Sequence, residues 1–290
     1  MKVCRTKKSL SALSAAWHRA GETVALVPTM GYLHEGHLSL VRIAKRKAER
    51  VVVSVFVNPT QFGPNEDFAR YPRDEKRDFA LLRAEGVDAV FAPTPEEMYG
   101  ADATVSLVES KLSKVMCGAF RPIHFAGVLT VVLKLFNASR ADVAVFGRKD
   151  AQQLAVIRRM VRDLDVPVTI VGAPLVREKD GLALSSRNTY LSPAEHARAL
   201  ALHEALDAAE ADYKTGRTDP KRAVAKIEKA LAKACDKVDY VVAVDADTLE
   251  PVKKLGPNTL LALAAYVGKT RLIDNHLLSA RPARRAPDGR

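Results

Sequence analysis

Two kinds of hydrophobic periodicity alternate along the first 175 residues. Short runs of consecutive apolar residues read as buried parallel strands: Val24 to Val27, Val51 to Val57, Asp88 to Phe91, Val105 to Val108, Asp142 to Phe146 and Val168 to Val171. Between them, apolar residues recur at the three- and four-residue spacing of amphipathic helices. That spacing predicts helices over about Ser9–Arg19, from Leu38 onward, from an Asp74 N-cap to Gly86, over Val128–Phe136 and over Ala151–Leu164. Strands alternating with helices predict right-handed crossovers and a doubly wound parallel sheet, an α/β fold.

Near Pro174 the pattern changes. A hydrophilic turn, Arg177 to Gly181, precedes a long helix over 193–214, with Ser192 as N-cap and Pro193 at the first helical position. A second helix runs from Asp219-Pro220 to about residue 236. Strands follow at Tyr240–Val244 and Thr259–Ala265, with a short one near Arg271–Ile273. Helices followed by strands predict a smaller C-terminal α+β domain over 176–280, against a first domain over 1–175. Arg281, Arg284, Arg285 and Arg290, with Pro282, Pro287 and Gly289, read as a disordered basic tail over 281–290.

Composition narrows the function classes. With 48% hydrophobic and 27% charged residues the chain reads as a soluble globular protein, and no apolar run approaches a membrane span. Cys4, Cys117 and Cys235 are too few and too scattered for a disulfide framework or a zinc site, which suits a reducing cytoplasm. The net charge of +11 invites nucleic acid, but basic residues are interleaved with acids and no aromatic-and-basic module occurs. A positive field also draws in ATP and small carboxylates.

The richest chemistry lies at Pro28-Thr29-Met30-Gly31-Tyr32-Leu33-His34-Glu35-Gly36-His37. A strand leads in and a helix leads out, so free backbone N–H groups and the positive end of the helix dipole meet there, the makings of a phosphate site. His34 and His37 share a face if the helix has begun, and two imidazoles could donate hydrogen bonds to phosphate oxygens as charge develops. The same residues also read as an N-capping and a surface histidine. After the next strand, Asn58-Pro59-Thr60-Gln61-Phe62 stands where open α/β sheets hold ligands. Asn58 and Pro59 serve equally as a turn, while the Gln61 amide donates and accepts at once. Gly118 and Gly127 bracket a loop with Arg121 and His124 as polar members; His124 reads as a site residue or as a buried, satisfied imidazole. Gly147-Arg148-Lys149-Asp150 offers an ammonium for phosphate and a carboxylate for ribose, or a capping Asp beside a solvated Lys.

Four stretches stand in an order that resembles the pantoate–β-alanine ligase (pantothenate synthetase) family, relatives of the HIGH-type nucleotidyl transferases: PTMGYLHEGH, VNPTQF with ARYPRD, FGRKDAQQL, and KDGLALSSRN. RPIHFAGVLTVVLKLFN, DADTLEP and RLIDN extend the similarity over nearly the whole chain. The resemblance implies a Rossmann-like ATP- and pantoate-binding domain, a C-terminal lid domain, and a cytoplasmic homodimer. It implies a ligase of the coenzyme A pathway that joins pantoate to β-alanine through a pantoyl adenylate, consuming ATP with Mg²⁺ and releasing AMP and pyrophosphate.

Position by position, the resemblance implies an ATP site at Met30, Gly31, Tyr32, Leu33, His34, Glu35, Gly36 and His37, with His37 as proton donor. Gly147, Arg148, Lys149 and Asp150 match a second nucleotide turn, and Val176 an adenine-side backbone contact. Leu184, Ser185, Ser186 and Arg187 match a KMSKS-like loop on the β and γ phosphates. Catalysis falls to His34, His37, Lys149 and Arg187. Gln61 and Gln153 would hold pantoate, with Met30, Asn58, Tyr71 and His124 around the substrates, and Asp78 stands where relatives carry an acid associated with Mg²⁺. The chain departs from the family pattern at Arg148 and Cys117, each usually Glu, and at Arg77, where relatives can carry a second acid. Two rivals remain at this point. A nucleotidylyltransferase would share the histidine turn without needing paired glutamines, and a nucleic-acid-binding protein would bind in a salt-dependent way. The expected partners are pantoate, β-alanine and ATP, with neither nucleic acid nor membrane.

Overall fold

The computed structural model describes residues 1–64 and 66–280. The expected basic tail over 281–290 lies outside the described residues. Backbone contacts divide the chain into two units. The first holds Met1–Val176 together with Leu184–Ser186; the second holds Arg177–Ala183 and the residues from Arg187 onward.

In the first unit the order is β1 (Lys2–Cys4), α1 (Lys7–Arg19), β2 (Val24–Thr29), α2 (Glu35–Lys45), β3 (Arg50–Val55), α3 (Glu75–Ala84) and β4 (Ala89–Phe91). Two single-turn helices follow, α4 (Pro95–Met98) and α5 (Cys117–Phe120), then α6 (His124–Ser139), β5 (Val143–Gly147), α7 (Ala151–Asp163) and β6 (Thr169–Ala173). The strands make one parallel sheet in the order β1-β4-β3-β2-β5-β6. Every side chain from Val24 to Val27 is fully buried, which is why β2 reads as an unbroken apolar run rather than an alternation. From β2 the chain builds outward through β3 and β4 on one side, then returns to place β5 and β6 on the other. The carboxyl ends of β2 and β5 therefore flank a topological switch point, where sheets of this kind open a ligand crevice.

Three expectations change. Val105–Val108 forms no strand: residues 103–109 lack regular structure, and Val105 and Val108 are 84% and 75% exposed. β-branched residues favour a strand only where a neighbour and a packing surface exist, and here the Leu107 N–H donates to Thr130 Oγ1 at 3.0 Å instead. Gly127 lies within α6 rather than at the edge of a loop. The three-residue β1, pairing with β4 at the sheet edge, has no counterpart among the expected strands.

The second unit packs α8 (Pro193–Lys214) and α9 (Pro220–Ala234) with an antiparallel sheet of β7 (Lys237–Asp245), β8 (Thr259–Val267) and β9 (Thr270–Leu277), β8 in the centre. The third strand is thus eight residues long rather than a short one. A capping box opens α8: the Glu195 N–H donates to Ser192 Oγ at 3.3 Å and the Ser192 N–H to Glu195 Oε2 at 2.8 Å. Leu202, Leu206, Ile227, Leu231, Leu261 and Leu263 form the core, each burial contributing about 1.5–3 kcal/mol. Arg177 grips the buried Asp274 of β9 through two bonds of 2.7 and 3.0 Å, fixing the Arg177–Ala183 turn to the sheet. No helix among the described residues is long and apolar enough to cross a membrane.

Candidate active site

The chain leaves β2 through two left-handed residues, Gly31 (φ +81°) and Tyr32 (φ +49°). A non-glycine residue there costs about 1–2 kcal/mol, and Asp78 of α3 supplies the compensation. Its Oδ2 accepts from the Tyr32 N–H and its Oδ1 from the Leu33 N–H, both at 2.7 Å, with the side chain buried. Burial pushes the Asp78 carboxyl up, against the downward pull of those two amides. The carboxylate expected to serve Mg²⁺ thus has each oxygen engaged in strapping the turn in place.

His34 is the N-cap of α2 and His37 its third residue, their ring centroids 4.0 Å apart. A Cβ at Gly36 would sit 2.9 Å from the His34 ring, so any larger residue there would push that imidazole from its place over the first turn. His37 Nδ1 accepts from the His34 N–H at 3.4 Å, which places the proton of a neutral His37 on Nε2. The His34 Nδ1 atom is buried and has no hydrogen-bond partner among the described residues. Both rings keep some accessible surface, yet enough protein surrounds them to disfavour charge. Burial first, then the positive Lys149 and Arg77, push His34 down to about 4. Burial, then His34 and Lys149, hold His37 well below the ordinary imidazole range. Pushed below the ordinary imidazole range, the pair favours neutral rings that offer N–H hydrogen bonds.

Across the switch point, Gly147 ends β5 and Arg148–Asp150 forms a single 3-10 turn. Asp150 occupies the N-cap of α7 without capping it through its side chain, so the plain capping reading falls away; Lys149 Nζ lies 3.9 Å from its carboxylate. The returning segment is held to the same region. Leu184 donates its N–H to the Val176 carbonyl at 3.0 Å, and Ser186 Oγ donates to the Tyr32 carbonyl at 3.3 Å. The structure so gathers Met30–His37, Lys149, Val176 and Leu184–Ser186 in one unit, and Arg187 belongs to the other.

Beyond β3, Asn58 Nδ2 donates to Gln61 Oε1 at 3.1 Å and to the Gly127 carbonyl at 3.2 Å, while Tyr99 donates to Asn58 Oδ1 at 2.7 Å. Asn58 thus positions the Gln61 amide. Among the described residues the Gln61 amide N–H₂ meets only the Met30 sulfur, at 3.3 Å, a weak acceptor that a ligand oxygen can displace. His124 is engaged within the protein as well. Its Nδ1–H donates to the Gln61 carbonyl at 3.0 Å and its Nε2 accepts from Arg121 at 3.1 Å, so both nitrogens are satisfied. Burial, then Arg121, push it down to about 3. Arg121 in turn is held by Glu66 through bonds of 2.8 and 2.5 Å. Tyr71 is buried with its ring edge-on to Phe62, centroids 6.0 Å apart.

Two residues to which the sequence assigned no such part complete the frame. Gln152 is buried and bonds Leu112, Val115 and Cys117 backbone groups at 2.8, 2.6 and 2.9 Å, while Gln153 beside it makes no side-chain hydrogen bond among the described residues. Gly127 lets α6 lie against the Gln61 turn, since a Cβ there would fall 2.5 Å from the Thr60 carbonyl oxygen. Gly127→Ala is expected to destabilise the fold by about 1–3 kcal/mol through overpacking, despite the better helix propensity of Ala. Urea unfolding checks this; an unchanged or raised midpoint would show that the turn yields freely.

A parallel sheet with its switch-point crevice, and paired neutral imidazoles at a helix N-terminus, define a nucleotide-binding α/β enzyme. A sequence model of the pantoate-beta-alanine ligase family matches residues 2–277, and the chain belongs to that family. The pantothenate synthetase of Thermotoga petrophila is 52% identical over 279 residues, 96% of this chain and all of that protein. The crystal structure of pantothenate synthetase from Thermus thermophilus is similar with a TM-score of 0.91 and 47% identity, over 96% of this chain and 100% of that one. A pantoate-beta-alanine ligase from Francisella tularensis, complexed with beta-gamma ATP and beta-alanine, gives a TM-score of 0.78 at 32% identity, over 96% of this chain and 97% of that one.

Proposed function

We propose that this chain condenses pantoate with β-alanine to pantothenate in two steps, forming pantoyl adenylate and pyrophosphate from ATP, then releasing AMP. The observation that carries this reading is the His34–His37 pair at the start of α2, ring centroids 4.0 Å apart, with Lys149 close enough to depress both. A carboxylate and an ammonium do not condense in water unless an oxygen first becomes a good leaving group. The division of residues answers that need. His34, His37, Lys149 and Arg187 take the phosphates and carry catalysis. Met30–His37, Gly147–Asp150, Val176 and Leu184–Ser186 line the nucleotide, and Gln61, Gln153, Met30 and Tyr71 hold the carboxylate and hydroxyls of pantoate. Mg²⁺ enters as the counterion of the ATP phosphates, brought with the nucleotide rather than held by Asp78.

In the same reading the first unit binds ATP and pantoate, and the second serves as the lid, in the cytoplasm. A homodimer fits as well, because a second copy would cover the exposed Val105 and Val108; a solution mass near twice 31.6 kDa tests it. The test of the function uses pantoate labelled with ¹⁸O in its carboxylate: one label is expected in AMP, and its absence would rule out the adenylate. Arg187→Ala is expected to slow adenylation by about 10²-fold while leaving the reaction of preformed pantoyl adenylate with β-alanine nearly intact. Equal damage to both half-reactions would assign Arg187 to folding instead.

A further inference from the structure

The second unit carries a group of side chains that neither the histidine turn nor the glutamines use. His203 and Asp207 stand one turn apart on α8, and His276 approaches from β9. His203 Nε2 lies 3.1 Å from Asp207 Oδ2, and His276 Nε2 lies 3.4 Å from Asp207 Oδ1. All three ligand atoms fall within 4.8 Å of one another. A zinc tetrahedron with bonds of about 2.0 Å has edges of about 3.3 Å, and each imidazole already stands near that spacing from one oxygen of the carboxylate, His203 from Oδ2 and His276 from Oδ1.

We propose that His203, Asp207 and His276 form a binding site for a late first-row divalent cation of the zinc class. Two imidazoles and one carboxylate are donors that suit Zn²⁺ or Co²⁺, whereas Mg²⁺ and Ca²⁺ demand oxygen shells. The surroundings complete the arrangement. The other ring nitrogen of His276, Nδ1, lies 3.5 Å from Glu210 Oε2, so a carboxylate stands beside the nitrogen that would not ligate. Both rings are mostly covered, with side chains 19% and 14% exposed, while Asp207 is 52% exposed and leaves the remaining position open to water.

Such an ion staples α8 to β9. It also fixes the His203 ring, which lies against Gly181: a Cβ there would sit 2.4 Å from His203 Cδ2. Gly181 belongs to the Arg177–Ala183 turn that Arg177 and Asp274 already pin to β9, so the metal would stiffen the stretch immediately before Leu184.

The test is calorimetric titration of Zn²⁺ into the nucleotide-free full chain, with the Co²⁺ absorption spectrum as a second readout. One equivalent is expected to bind, to persist in millimolar Mg²⁺, and to raise Tm by about 3 °C or more at saturation. His276→Ala and Asp207→Asn are each expected to weaken binding by about 100-fold or more, and Glu210→Gln by about 10–100-fold. Circular dichroism of each variant confirms that it is folded, and Asp207→Asn preserves shape if the alanine variant is not. Absence of binding in the wild type overturns the proposal. So does binding that survives both ligand substitutions, including binding lost only in His196→Ala, which would place the ion at the separate Glu178–Asp180–His196 cluster.

Discussion

His37→Ala is expected to slow pantoyl adenylate formation by about 10²–10³-fold with little change in ATP affinity, and His34→Ala to follow it closely. Donors aimed at charge that develops only in the transition state act on the rate rather than on ground-state binding, and that range is what one such donor is worth. Here the donor is an Nε2–H whose position is set by the bond from the His34 N–H to His37 Nδ1. Because His34 is pushed down to about 4 and His37 well below its ordinary value, neither ring should impose an inflection on the adenylation rate between pH 8 and 6. The sign for stability follows. The folded His34 binds fewer protons than the unfolded one between about pH 4 and 6.5, so its contribution is lost as pH falls through that window. Single-turnover pyrophosphate release measures the first claim. A wild-type rate in either variant would remove these rings from the chemistry, and an inflection near pH 6.5 that vanishes in His37→Ala would make His37 a proton donor after all.

Asp78→Ala is expected to be nearly as severe, for a different reason. It orphans two backbone donors, the part-buried Tyr32 N–H and the buried Leu33 N–H, the latter at about 1–3 kcal/mol. It also frees a turn whose Tyr32 is left-handed. The histidines begin one residue later, and a displacement of about 1 Å there suffices for about a 10²-fold loss of rate. Asp78→Asn keeps the shape but sets an amide N–H₂ against a backbone donor, so it should fall between wild type and Asp78→Ala. A lowered Tm together with slow adenylation, neither relieved by raising Mg²⁺, is the expected result. Recovery at high Mg²⁺ would return Asp78 to the role of metal ligand.

Much of this fold is legible because parallel strands covered on both faces write themselves as apolar runs, as at Val24–Val27. The failures are equally physical. Val105–Val108 has the residues of a strand but no neighbour to pair with, and β1 is too short to show a period. At the site, the H-x-G-H spacing announces the two imidazoles, yet nothing local reveals that Gly36 exists to admit the His34 ring. Nothing local shows that Asp78 reaches 46 residues back to Tyr32. His124 and Asn58 look like ligand residues because they are polar and well placed, and only their partners show them satisfied. Gln152 and Gln153 are indistinguishable as letters; burial and three backbone bonds assign the first to the frame.

The chain crosses between its two units three times in close succession, after Val176, Ala183 and Ser186. A cut in the gene at the first crossing would therefore not free a whole nucleotide-binding half. It would remove Leu184 and Ser186, and with them the bonds to Val176 and Tyr32. Two relatives could exchange C-terminal halves at that point only by bringing Leu184–Ser186 along from the wrong parent. Chimaeras joined after Ser186 keep the first unit's own segment but carry its Arg177–Ala183 turn into a foreign β9, where the partner of Arg177 must still be an acid. Modularity in space is here not modularity in sequence, and a recombination library will find its viable junctions elsewhere.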